Sequence, residues 1–154
     1  MRKIKMLALV IALLAMTSMA DVLTKEAFLA TAISTITTGA TATNGSEFTS
    51  REISLGERAH PVVAIIVTFA RATGSSSTVD FNFQVSYDMG TTWADYDDGE
   101  IQVASNHAAI TGTTVRYYTL VSLYGVDFIR LYTVKNNDSA SITAVNVTLT
   151  TSKR

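Results

Sequence analysis

The chain has 154 residues, enough for one domain with a substantial core and too few for two ordinary domains plus a leader. Its 12 Lys+Arg nearly balance its 13 Asp+Glu and form no basic stripe, which argues against a nucleic-acid binder, because such proteins replace counterions along the phosphates with clustered cations. Cysteine is absent, which excludes a disulfide framework, a thiolate zinc site and a cysteine nucleophile and leaves stability to packing and ladder hydrogen bonds.

Arg2, Lys3 and Lys5 precede an unbroken apolar run from Met6 to Met16, and Ser18-Met19-Ala20 places small residues where signal peptidase accepts them. That order predicts a signal peptide over residues 1–20 with cleavage after Ala20. The run is about half of the roughly 20 apolar residues that a permanent membrane helix needs. Two other readings stay open: an uncleaved N-terminal anchor, and translation that begins at Met19. Cleavage would lower Lys+Arg from 12 to 9 against the same 13 acidic residues, for a net charge of −4. The expected location is secreted, extracellular or on a virion surface, with no membrane association once the leader is gone.

Residues 21–30 read as one or two helical turns or as an extended arm. Residues 31–50 are Thr- and Ser-rich, with Ile33 and Ile36 as the main apolar positions and Asn44-Gly45 as a turn. The stretch 21–50 is therefore expected as an N-terminal arm or as the first strands, followed by a β-sandwich domain over 51–154. From residue 51 on, β-branched residues dominate and turn formers recur about every 8–12 residues, the pattern of a sandwich or small barrel. Val62 to Phe69 is a continuous apolar run too short for an ordinary helix, which predicts a central strand. Val79, Phe81, Phe83, Val85 and Tyr87 alternate with Asp80, Asn82, Gln84, Ser86 and Asp88, which predicts a strand with one face in the core and one in water. Further strands are expected near 100–104, 114–123, 126–134 and 140–151. With Gly125 and Asn136-Asn137-Asp138 as turns, these last three read as a β-meander. The fold class is all-β: a single antiparallel β-sandwich of jelly-roll or immunoglobulin-like kind.

One motif can be named. Ser86, Asp88, Gly90, Thr92 and Trp93 fill every defined position of S-x-D-x-G-x-T-W. The chemistry is that of a hairpin turn, in which the carboxylate accepts N–H groups, glycine tolerates positive φ and the tryptophan folds back over the hairpin's apolar side. The motif resembles the Asp-box of sialidase propellers and of many unrelated β domains. A propeller needs several copies and at least about four blades, whereas one copy stands here and the arginines after the leader, Arg51, Arg58, Arg71, Arg116, Arg130 and Arg154, are dispersed. In wider layout, the Thr-rich start, the apolar strand, the alternating strand carrying the box at 84–93 and the late aromatic strands (Tyr117-Tyr118, Phe128-Ile129-Arg130-Leu131) resemble small accessory β-sandwich proteins of phage virions. That resemblance implies a structural role. A virion protein assembled in the cytoplasm needs no export signal, so it also implies either a start at Met19 or a different host system.

Asp95, Asp97, Asp98 and Glu100 offer carboxylates to Ca²⁺, but their spacing is not that of an EF-hand and a solvated turn accounts for them. His60 and His107 lie in loops with no partners that would make a metal site or triad. Asn44, Asn137 and Asn146 begin N-x-S/T sequons, which matter in a glycosylating host. No residue is assigned to catalysis or to a cofactor. The reading is a non-enzymatic structural subunit that self-assembles as a homo-oligomer or polymer, an extracellular filament or virion component, with the arm adding as a strand to a neighbour's open sheet edge. The alternative is a secreted carbohydrate-binding or adhesion module, which requires Trp93, Tyr96 and Tyr118 to share one exposed plane.

Overall fold

Nine-residue stretches with apolar residues at every second position can bury one face only against a second sheet, and the chain does so four times. A computed structural model of the chain describes residues 22–56, 62–71, 77–96, 101–104, 109–111 and 114–153. The described residues hold no helix and twelve strands: β1 (Val22–Ala27), β2 (Ile33–Ile36), β3 (Thr41–Thr43), β4 (Ile53–Ser54), β5 (Val62–Ala70), β6 (Thr78–Ser86), β7 (Ala94–Asp95), β8 (Ile101–Ala104), β9 (Ala109–Thr111), β10 (Thr114–Ser122), β11 (Phe128–Asn136) and β12 (Ile142–Lys153). They form two antiparallel sheets packed as a β-sandwich. Sheet I runs β1-β12-β5-β10-β9, with β2 also on β12; sheet II runs β3-β11-β6-β7, with β4 on β11 and β8 on β6.

The core is built from the inner faces of the long strands. Sheet I supplies Val63, Ile65, Val67 and Phe69 from β5, Val115 and Val121 from β10, and Val145, Val147 and Leu149 from β12. Sheet II answers with Val79, Phe81, Phe83 and Val85 from β6 and Ile129, Leu131 and Val134 from β11. Phe69 and Phe81 meet across the layers with ring centroids 6.2 Å apart. The strand expected at the centre, β5, pairs with both β10 and β12.

The C-terminal strands are not a meander. β10 and β12 both flank β5 in sheet I, whereas β11 pairs with β6 in sheet II, so the chain crosses the core at 123–127 and again at 137–141. A hairpin and a cross-sheet arch present the same period-2 pattern, and five residues are long enough to span the roughly 10 Å between packed sheets. The alternation thus locates the strands without choosing their partners. Tyr87 also departs from expectation: it lies beyond β6 and is exposed, because Ser86 already opens the turn.

Residues 22–50 contribute strands to the domain's own sheets, and the segment 22–27 is a strand rather than a helical turn. β1 pairs with β12 from Val22↔Lys153 to Ala27↔Thr148, β2 follows on the same edge from Ile36↔Ile142, and β3 adds to β11. Phe28, Leu29, Ile33 and Ile36 are buried, and the Phe28 ring lies 5.3 Å from that of Phe83. Burying each such side chain contributes about 1.5–3 kcal/mol, so this segment completes the core as well as the sheet.

Candidate functional site

The β6–β7 connection is a turn closed by a dense set of side-chain hydrogen bonds. β6 pairs with β7 through Val85↔Ala94 and Gln84↔Asp95, leaving 86–93 to reverse the chain. The buried Ser86 hydroxyl accepts the N–H of Gly90 at 2.8 Å and that of Asp88 at 3.4 Å, and donates to Asp88 Oδ1 at 2.8 Å. Asp88 Oδ1 also accepts the Thr92 N–H at 2.8 Å, and Oδ2 accepts the Thr92 hydroxyl at 2.7 Å. The Thr92 hydroxyl, then the Thr92 N–H, then the Ser86 hydroxyl favour the ionised carboxylate and bring the Asp88 pKa from 3.8 to about 2. Met89 and Gly90 both take left-handed backbone, at φ 58° and 85°. Glycine is suited to the second because no Cβ opposes it. The turn is tied to the β10–β11 connection by the Met89 N–H, which donates to Asp127 Oδ2 at 3.2 Å, and by the Asp127 N–H, which donates to the Ser86 carbonyl at 2.9 Å.

Trp93 does not cover the hairpin's apolar side. Asp95 shares the outer face of sheet II with its partner Gln84, and Trp93, two residues before Asp95, falls on that same face. There the Arg130 guanidinium carbon sits 4.0 Å from its ring centroid. Arg130 donates to Gln84 Oε1 through Nε at 3.1 Å and Nη2 at 2.7 Å, and Nη1 lies 3.6 Å from Glu52 Oε1. Gln84 Nε2 in turn donates to Asp95 Oδ1 at 3.0 Å. Reading the sequence did not single out Arg130, Gln84 or Glu52 as a group. The cross-strand register Arg130↔Gln84↔Asp95 that assembles them joins residues on three strands, and no local pattern reveals it.

Of the four calcium candidates, Asp95 is engaged by Gln84, and Asp97, Asp98 and Glu100 lie outside the described residues, as do His60 and His107. Among the described residues no three metal-ligating side chains come together. The aromatic row required for a sugar platform is not formed. Trp93 is on the outer face of sheet II; Tyr96 packs against the core with its hydroxyl donating to the Ser122 carbonyl at 2.8 Å; Tyr118 stands on the outer face of sheet I. Residues at 93, 96 and 118 thus face three directions, because the turn sets the parity of β7 while Tyr118 belongs to the other layer.

The apolar surface lies elsewhere. Tyr118 and Leu120 on β10 are 72% and 69% exposed. The β10–β5 register sets them beside the half-buried Ile66 and Ala64, with Thr148 and Thr150 of β12 in the next row. A second group, Tyr87, Met89 and Tyr124, is exposed at the end of the sandwich where Asp127 joins the two turns. The period-2 pattern of 114–122 contains the signal for the first group, since Tyr118 and Leu120 fall in phase with Arg116 rather than with Val115 and Val121. Compared with known proteins, the chain matches no family model, no curated protein and no solved structure.

Proposed function

We propose that this chain is a non-enzymatic structural subunit that assembles with copies of itself at an exterior surface, as an extracellular filament or a virion component, by exchange of its N-terminal strands. The observation that carries the reading is the way β1 and β2 are attached. They occupy one edge of sheet I and pair with β12 alone, yet Phe28, Leu29, Ile33 and Ile36 reach into the core. A segment held by one ladder, a few buried anchors and isolated ties such as the Leu29–Ser50 bridge can leave its own domain and fill the same edge of a neighbour, where each hydrogen bond and contact is reproduced. Repeated head to tail, that exchange builds a polymer without any new interface chemistry. The basic-apolar-small leader at 1–20 and the phage-virion-like layout supply the exterior setting. The carbohydrate-binding alternative has lost its geometric premise with the separation of Trp93, Tyr96 and Tyr118.

The absence of cysteine makes the test direct. Lys25 and Thr150 are register partners on β1 and β12. In a Lys25→Cys/Thr150→Cys double variant, mild oxidation of an exchanged assembly gives a ladder of covalent oligomers on a non-reducing gel, and negative-stain microscopy shows filaments or lattices. A closed monomer band together with monodisperse particles sinks the reading.

A further inference from the structure

Exchange of β1 and β2 needs a place where the chain lets go, and the arch between β2 and β3 has the form of one. Residues 37–40 carry the chain from the edge of sheet I to the edge of sheet II in one β-turn, with the Ala40 N–H donating to the Thr37 carbonyl at 3.1 Å. Gly39, at the third position of that turn, holds φ at 70°, the left-handed region that favours glycine. A Cβ there would meet nothing within 4 Å, so backbone conformation rather than space calls for glycine. One buried residue grips both sides of the turn. The backbone of Asn136, at the end of β11, holds the β3 side: its N–H donates to the Ala40 carbonyl at 3.0 Å and its carbonyl accepts the Gly39 N–H at 2.9 Å. Its side chain holds the β2 side, where Nδ2 donates to the carbonyls of Ile36 at 3.1 Å and Thr37 at 3.3 Å, as well as to that of Ala140 at 2.9 Å. Oδ1 accepts the Asp138 N–H at 3.0 Å, which fixes the orientation of the carboxamide.

We infer that Thr37–Ala40 is the hinge of the strand exchange and that the Asn136 carboxamide is the latch that sets its rate. The inference rests on the reading of the chain as a self-assembling subunit and deepens it. When residues 22–36 move to a neighbour, the β1 and β2 ladders, the buried anchors and the Asn136 bond to Ile36 are all made again with the other copy, so they cancel between the closed and the exchanged forms. The turn does not cancel. An exchanged chain straightens it, gives up the Ala40–Thr37 bond and releases Gly39 from its left-handed conformation, so the hinge decides how much of the chain is exchanged. The latch decides how fast, because the bonds from Nδ2 to Ile36 and Thr37 must break before β2 can leave, and a buried donor without an acceptor is costly. Straightened, the chain from Ile36 to Thr41 spans at most about 17 Å, against roughly 10 Å between the layers of one sandwich. The neighbour's sheet I edge therefore lies within that reach, and the exchanged subunits are closely packed.

The test uses the full chain with the Lys25→Cys/Thr150→Cys pair, in which oxidation reports exchange as covalent oligomers. Gly39→Ala raises the exchanged-to-closed ratio about tenfold, the left-handed penalty of a Cβ that a straightened hinge does not carry. Deleting residues 38 and 39 leaves about 10 Å of fully stretched chain between Ile36 and Thr41, the bare separation of the layers, and the closed monomer disappears. Inserting Gly-Ser-Gly after Thr38 relaxes the turn and lowers the exchanged fraction. Asn136→Ser shortens the time to plateau about tenfold after tagged and untagged chains are mixed and leaves the plateau where it was; Asn136→Asp, which keeps the size and replaces the donor with an acceptor, does the same. A closed monomer in the deletion variant overturns the hinge, as does a Gly39→Ala plateau equal to the native one. A folded Asn136 variant that exchanges at the native rate, or that moves the plateau and not the rate, overturns the latch. Native filaments indifferent to every change leave the proposed function standing and remove this device; exchange in the deletion variant of a chain whose native form stays monomeric does the reverse.

Discussion

The two outer faces of the sandwich are built to opposite specifications. On sheet II the exposed side chains are bonded to one another: Asp95 to Gln84, Gln84 to Arg130, Arg130 to Trp93 and Glu52, and Asn82 to Thr133 across β6 and β11. On sheet I the outer residues of β10 point Tyr118 and Leu120 into solvent with half-buried Ile66 and Ala64 beside them. A face whose polar groups are already satisfied has little to offer a partner. A face with an exposed tyrosine and an exposed leucine has contacts to gain. The difference teaches that one face of this domain is held together by its own polar side chains while the other leaves apolar side chains in solvent.

That contrast can be broken by substitution. Arg130→Ala should have the largest effect on stability, about 2 kcal/mol by urea unfolding, because it removes a charge-assisted pair of hydrogen bonds and a cation–π contact. The part of the effect that comes from charge should fall with added salt, since the Glu52 pair is half exposed. A next effect belongs to the turn. With the folded pKa of Asp88 near 2 and the ordinary value at 3.8, its contribution is full above 3.8 and is lost as pH falls toward 2. Comparing unfolding midpoints of the native chain and Asp88→Asn over that window should show the native chain losing its advantage as the carboxylate is protonated; parallel curves would remove the turn's role.

A smaller gain is expected at the bulge in β12. There the register slips between Thr143 and Asn146, and Ala144 holds φ at 52°. Ala144→Gly should relieve the left-handed strain and raise stability by about 0.5 kcal/mol, net of the extra freedom of glycine in the unfolded chain. The smallest effect should come from Tyr118→Ser with Leu120→Ser, within about 0.5 kcal/mol of the native chain by urea unfolding, because both side chains stand in solvent. A loss of stability as large as that of Arg130→Ala would mean that the sheet I face is structural after all.

The long strands were legible in the sequence. Val62–Phe69, the alternation around Phe81 and Phe83, and the runs near 114–123, 126–134 and 140–151 each correspond to a strand within a few residues, because a buried face requires β-branched or aromatic side chains at every second position. The turn at 86–93 was legible too, since the Ser86 and Asp88 hydrogen bonds that close it join residues no more than four positions apart. The short strands β1–β4, β7 and β9 were not. Their two to six residues carry too few apolar positions to show a period, and β1 and β2 exist because β12 offers them an edge.

The amino-acid sequence by itself therefore determined that this protein is all-β, where its longest strands lie, which of their faces are apolar and how one turn closes. These follow from periodicity and local hydrogen bonding. Only the tertiary structure decided that β10, β11 and β12 alternate between layers, that Arg130 rather than the core receives Trp93, and that Tyr118 and Leu120 stand in solvent on the outer face of sheet I. Each of those is a choice of partner between distant segments, and the period of a strand records that one face is buried without recording what lies against it.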